Sequence, residues 1–207
     1  MAKMGKFIVF EGNEGTGKST HIKKLSAYLK TINHDHIVTR EPGGTEFGES
    51  IRSILLNSKS TLDPTSEALL FYASRIMNYK SVILSAMEAG KTVICDRFHY
   101  STLVYQGLSQ NCKEVCSLHN ILDKIFSENI SIVVYLDASV DTCFSRINKR
   151  QKSDKFELQG KDFLENIKKS YEVALKDIDR KFVVDTDQEL EVVTRMIREK
   201  IELILDE

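Results

Sequence analysis

The sequence predicts a three-layer α/β fold with about five parallel strands flanked by helices, and three observations predict it. Short apolar runs recur at Phe7 to Phe10, Ile37 to Thr39, Thr92 to Cys95, Ile130 to Leu136 and Phe182 to Val184. Helical periodicities separate these runs, and strands that alternate with helices assemble into a parallel sheet. The 207 residues are 42% hydrophobic, enough for a sizeable core, and no Pro, Gly or Ser run divides them, so one domain spanning 1–207 is expected.

The first strand runs directly into Gly12-Asn13-Glu14-Gly15-Thr16-Gly17-Lys18-Ser19-Thr20, a complete GxxxxGK[ST] phosphate-binding loop. Backbone N–H groups can converge on a triphosphate only where glycines remove the side chains that would block the approach. Lys18 is expected to reach the β- and γ-phosphates and Ser19 to place its hydroxyl on Mg²⁺. A helix beginning near Gly17 aims its positive dipole end at the anion. Ile22, Leu25, Leu29 and Ile32 are its expected buried face.

The second strand ends in Thr39-Arg40-Glu41-Pro42-Gly43-Gly44-Thr45, dense in turn formers, with Arg52 following in a helix. Ser66 to Ala89 reads as one long helix with an apolar face of Leu69, Leu70, Ala73, Met77, Ile83, Leu84 and Met87, stopped by Gly90. The third strand delivers Asp96 and Arg97 beside the phosphate loop. There Asp96 would hold Mg²⁺ through water or orient a phosphate, and Arg97 would grip phosphate oxygens in a fork. Val115, Leu118, Leu122 and Ile125 mark a further helix. The fourth strand closes on Asp137, a second, lower-ranked metal candidate. Arg146, Lys149, Arg150, Lys152 and Lys155 then form a basic cluster, either a solvated charged helix and loop or a mobile lid around 146–160. Leu190, Val193, Ile197, Ile201 and Ile204 give the last amphipathic helix. In such a fold ligands sit beyond the carboxyl ends of the strands.

A formal net charge of -1 argues against a dedicated nucleic-acid binder, which needs a basic excess. No stretch is long and apolar enough for a signal-peptide core or a membrane span, so a cytoplasmic protein is expected. The four cysteines then read as reduced thiols. Cys112, Cys116 and His119 fall at i, i+4 and i+7, faintly like a metal site, but no fourth ligand lies nearby.

Together the phosphate loop, the Thr39 to Thr45 string, Phe71-Tyr72-Ala73-Ser74-Arg75, Asp96-Arg97-Phe98, Ser101-Thr102 and Tyr105-Gln106-Gly107 resemble bacterial-type thymidylate kinases. The match runs in order through most of the chain. It implies the P-loop kinase fold with a five-stranded parallel sheet, ATP and dTMP as substrates, Mg²⁺, and a homodimer built on packed helices. In the resemblance, Phe71 stacks on thymine, Arg75 donates to a base carbonyl, and Thr102 and Gln106 contact the base edge. Tyr105 packs under the deoxyribose and excludes a 2′-hydroxyl. Arg52 and Arg97 hold the acceptor phosphate with help from Glu41. Pro42, often cis in the family, and Ser101 complete the dTMP pocket. Because Glu14 stands where other members carry an arginine in the loop, the catalytic arginine is assigned to the lid, Arg150 first and Arg146 second. Asn148 and Lys155 stand where lid arginines are common, and lysine lacks the bidentate fork.

No general base is apparent and none is required, since the acceptor phosphate, with a second ionisation near pH 6, is already largely dianionic. The competing readings are an adenylate or guanylate kinase, which shares the loop and lid, and a non-catalytic ATP-binding protein. A regulatory GTPase would need an Asn-Lys-x-Asp motif that this chain lacks.

Overall fold

Among the described residues, five strands form one all-parallel sheet in the order β2–β3–β1–β4–β5. The computed structural model describes residues 4–57, 62–149 and 160–206. The strands are β1 (Phe7–Gly12), β2 (His36–Arg40), β3 (Thr92–Asp96), β4 (Ile132–Asp137) and β5 (Lys181–Asp185). Central β1 pairs Phe7 with Val93 on one side and Ile8 with Ile132 on the other. Side chains alternate along a strand, so two cores follow. Phe7, Val9, Val93, Cys95, Val133 and Tyr135 face one layer, packing on Tyr72, Tyr79, Phe98 and Tyr171. Ile8, Phe10, Ile94, Val134 and Leu136 face the other, packing on Ile22, Leu25, Val193, Ile197 and Ile201. Burial on both faces is why the three inner strands read as unbroken apolar runs.

The helices are α1 (Lys18–Thr31), α2 (Glu46–Asn57), α3 (Pro64–Asn78), α4 (Leu84–Glu88), α5 (His99–Thr102), α6 (Lys113–Phe126), α7 (Val140–Asn148), α8 (Lys161–Ala174) and α9 (Leu190–Asp206). Asp63 caps α3 by accepting from Thr65 and Ser66, with Pro64 in the first turn. The expected helix from Ser66 to Ala89 is therefore longer at its start. It is also interrupted, by a π turn over Tyr79–Ile83, and ends at Gly90 with φ 77°.

Five expected core positions are corrected. Ile32 caps α1 and is 46% exposed, while Leu69 and Met77 of α3 are 52% and 42% exposed. The buried residues of α3 are instead Glu67, Ala68, Phe71, Tyr72, Ser74, Arg75 and Asn78. Four polar residues among them defeat an assignment by hydrophobicity alone. Ile125 and Leu190 are likewise exposed, at the ends of their apolar stripes.

The Cys/His spacing on α6 leads to two separate settings. Cys112 meets Thr65 and Glu114. His119 is buried, bonded through Nδ1 to the Tyr72 hydroxyl at 3.2 Å and stacked on His99 at 5.2 Å. His99 in turn bonds Asp123 at 2.8 Å. Burial drives the His119 pKa down from 6.5 to about 3, and burial lowers that of His99 despite Asp123. Both rings therefore favour the neutral form, so the unfolded chain binds more protons below pH 6.5 and stability falls with acidification. Burial raises Glu11 and works in the opposite sense, so the histidine contribution must be read as a difference. The melting temperature should fall between pH 6.5 and pH 5 more steeply in the wild type than in His119→Gln, measured by differential scanning fluorimetry. Parallel pH profiles would refute the assignment.

Candidate active site

The carboxyl ends of β1, β2 and β3 open into one pocket, lined by Glu14, Gly15, Gly17, Lys18, Ser19 and Thr20 from the loop. Arg40, Glu41, Pro42 and Arg52 close a second side, Phe71 and Arg75 a third, and Asp96, Arg97, Ser101, Thr102, Tyr105 and Gln106 the last. Helix and turn geometry explains how the final group converges. After α5 the chain continues through a π turn over Leu103–Gly107, and Thr102, Tyr105 and Gln106, at i, i+3 and i+4, share the face that lines the pocket.

The phosphate loop is built around close backbone approach. Gly15 has φ 81°, and a Cβ there would sit 2.6 Å from the Cys143 carbonyl oxygen. Asn13 and Thr16 turn their side chains into the loop's own support rather than the pocket: Asn13 Nδ2 donates to Leu164 O at 2.8 Å and Thr16 Oγ1 to Asn13 O at 2.9 Å. Gly12 also lies behind the lining. Lys18 Nζ donates to the carbonyls of Gly12 and Asn13 at 2.9 and 2.8 Å. Burial, then Arg97, lowers its pKa from 10.5 to about 8; a phosphate arriving at Nζ would reverse that pressure. Ser19 Oγ lies 3.2 Å from Asp96 Oδ2, bringing together two hard oxygen donors. Asp137 instead accepts twice from Lys168 Nζ at 2.7 and 2.8 Å.

Arg97 adopts φ 65°, which turns its side chain back across the loop. Its Nη1 donates to Gly12 O, Ser101 Oγ and the Tyr171 hydroxyl at 3.0, 3.1 and 3.0 Å, and its Nη2 meets the Glu14 carboxylate. Tyr105 lies under the guanidinium at 5.1 Å. Arg75 is 1% exposed and fixed from all sides. Its Nε is 2.6 Å from Glu41 Oε2, Nη1 donates to Thr102 Oγ1 at 2.9 Å, and the rings of Tyr72 and Phe98 cover its faces. Burial pushes the Glu41 carboxyl up to about 7 against the pull of Arg75 and Asn78. Gly44 is required beside this pair, because a Cβ would lie 2.3 Å from Asn78 Oδ1. Glu41–Pro42 is a cis peptide, and Arg52 Nη1 donates to Pro42 O at 3.0 Å. Phe71 packs on Ile51 and Leu55 while also forming pocket wall.

Arg146 sits on α7 behind the loop rather than in the pocket lining, with Nη2 donating to Thr186 O at 2.7 Å. Arg150, with Lys152 and Lys155, lies outside the described residues.

Sequence reasoning missed Glu11 and Tyr171. Glu11, fully buried at the end of β1, accepts from Phe98 N at 2.9 Å, Ser101 Oγ at 2.6 Å and the Tyr171 hydroxyl at 2.9 Å. Its signal was an acid closing an apolar strand. That of Tyr171 was the Leu164, Ile167, Tyr171 spacing of α8, a helix not drawn from the sequence.

A family model described as thymidylate kinase matches residues 10–197. Similar curated proteins include a thymidylate kinase of Caldicellulosiruptor saccharolyticus, 36% identical over 98% of this chain and 97% of its own length. Others are those of Nitrosospira multiformis, 35% identical with coverage of 97% and 98%, and Caulobacter vibrioides, 38% identical with coverage of 95% and 96%. Because one hydroxyl serves Glu11 and Arg97 together, Tyr171→Phe should cost about 1–3 kcal/mol of unfolding free energy. Urea titration measures it, and an unchanged midpoint and slope would show the hydroxyl to be dispensable.

Proposed function

This chain belongs to the thymidylate kinase family, and we propose that Lys18, Arg97 and Arg52 carry the γ-phosphate of ATP to the 5′-phosphate of dTMP in this pocket. The chain is an enzyme, a dTMP kinase that forms dTDP and ADP. The observation that carries the assignment of residues is the convergence of a phosphate loop, Arg97 and the Phe71–Arg75 wall on one cavity. The loop residues 12–20 would take the ATP phosphates. Arg97 and Arg52 would hold the acceptor phosphate, Phe71 would stack on the base, and Arg75, Thr102 and Gln106 would read its edge. Tyr105 would pack under the sugar, Ser101 and Pro42 would complete the dTMP pocket, and Glu41 would help to fix the arginines.

Two polyanions must meet in line, so the enzyme's task is to offset repulsion and hold geometry, with no proton to abstract. Lys18 and Arg97 would supply positive charge for this from the pocket wall. Lys18 meets the carbonyls of Gly12 and Asn13 and Arg97 meets Glu14, and phosphate oxygens would share these cations. Ser19 directly and Asp96 through water would hold Mg²⁺, and their 3.2 Å approach supports that pairing. Bound there, Mg²⁺ would neutralise phosphate charge. A lid around 146–160, carrying Arg150 and backed by Arg146, would supply the remaining positive charge and exclude water.

We read the chain as one cytoplasmic domain with no nucleic-acid or membrane partner; no described helix is long and apolar enough to cross a membrane. A homodimer is supported by α2 packed on α3 with Phe47, Ile54, Leu69 and Met77 left exposed. Sedimentation equilibrium should give twice the chain mass, and Leu69→Glu should shift it to monomer; a wild-type monomer would refute the assembly.

The assignment of roles is tested by a coupled assay of ADP formation over dTMP, dAMP and dGMP. Turnover should be greatest with dTMP, and preference for a purine would overturn the reading. Arg97→Ala should lower kcat/KM for dTMP by about 10²–10³-fold, whereas retained turnover would remove Arg97 from the mechanism.

A further inference from the structure

Gln106 lines the pocket yet is 1% exposed, and its Nε2 donates at 2.8 Å to Oε2 of Glu67, itself 7% exposed. Carboxylate oxygens accept, so this contact decides which end of the amide carries the nitrogen. With Nε2 committed to Glu67, the carbonyl end of Gln106 is left for the pocket. Four residues earlier, Thr102 accepts from Arg75 Nη1 at 2.9 Å. Arg75 can only donate, and a buried carboxylate, Glu41, fixes it as well. The wall therefore pairs a donor with an acceptor, each oriented by its own buried acid.

A base edge that complements this wall offers a carbonyl oxygen beside a ring N–H, the keto-imide pattern of thymine and uracil. Cytosine offers an amino group beside a bare ring nitrogen and mismatches at both places. We propose that Glu67 is a positioning residue that sets the polarity of the base wall, and thereby the discrimination of keto- from amino-pyrimidine monophosphates. The inference rests on dTMP as acceptor and deepens that reading by naming what fixes its selectivity. Leaving a buried amide free to flip would present donor or acceptor in turn, and discrimination built on unpaired polar groups would be lost.

The test is steady-state kinetics with dTMP and dCMP on the wild type, Glu67→Gln, Glu67→Asp, Gln106→Met and the Glu67→Gln/Gln106→Met double variant, with melting temperatures measured alongside. Glu67→Gln can bond either end of Gln106, so the dTMP-to-dCMP ratio of kcat/KM should fall about tenfold, with the loss for dTMP mainly in KM. Glu67→Asp keeps an acceptor-only group and should retain more of the ratio at equal or lower stability. In the Gln106→Met background, Glu67→Gln should move the ratio less than about twofold, the signature of action through Gln106. An unchanged ratio in Glu67→Gln, or the same shift with and without Gln106, overturns the role of Glu67 while leaving dTMP as acceptor. A wild type that does not favour dTMP over dCMP overturns both. If Glu67→Gln does not fold, equal ratios in Glu67→Asp, Gln106→Met and the wild type overturn the proposal.

Discussion

Glu11 is the constraint on which the site depends. A carboxylate at the end of a central strand cannot reach water, and burying one unpaired costs several kcal/mol. Here Phe98 N, Ser101 N, Ser101 Oγ and the Tyr171 hydroxyl all donate to it. Satisfying this one group brings the turn after β3 and the α8 helix against the phosphate loop. Arg97 gains its bearings from the same set, since Ser101 and Tyr171 each serve both Glu11 and the guanidinium. The acid thus converts a meeting of three chain segments into a defined position for a cation.

Around that hub the pocket gathers positive charge that protein groups hold in place. Lys18, Arg97, Arg75 and Arg52 line one cavity, and each has a partner: loop carbonyls, Glu14, Glu41 and the Pro42 carbonyl. These partners differ in permanence. The Glu41–Arg75 pair is almost wholly buried and further bonded through Asn78 Nδ2 to Glu41 at 3.1 Å, so removing either member would strand the other. Among the described residues, Lys18 Nζ bonds carbonyl oxygens alone, and burial puts it under pressure to lose its proton. The Arg75 side of the pocket is therefore held by a buried pair, while the Lys18 side has interactions that a polyanion could take over.

The phosphate loop, the parallel sheet and the Asp96–Arg97 strand end were legible because their physics is local. Glycine spacing, alternating apolar runs and strand-end position each occur within a few consecutive residues. Glu67 and Tyr171 were not legible, because their meaning lies in partners 39 and 160 residues away. The α3 stripe misled for a related reason. Arg75 and Asn78 are polar residues made core by neutralising contacts, so hydrophobicity ranked Leu69 and Met77 inward instead. The π turns at Tyr79–Ile83 and Leu103–Gly107 shift helical phase, and a simple 3.6-residue count cannot follow that shift.

Buried acids recur at each functional wall: Glu11 behind Arg97, Glu41 behind Arg75 and Glu67 behind Gln106. Their common consequence is to fix direction rather than to supply net stability, since a desolvated charge pair roughly breaks even against well-packed hydrophobic residues. A pocket that handled only phosphate would not need such direction, because phosphate oxygens accept from any donor that approaches. A base edge does need it, since its carbonyls and ring N–H groups alternate in sign within a few ångströms. If Arg75 and Gln106 read the base as proposed, the acids behind them are the physical counterpart of choosing one nucleobase, and the acid behind Arg97 would serve the separate need to meet a phosphate in line.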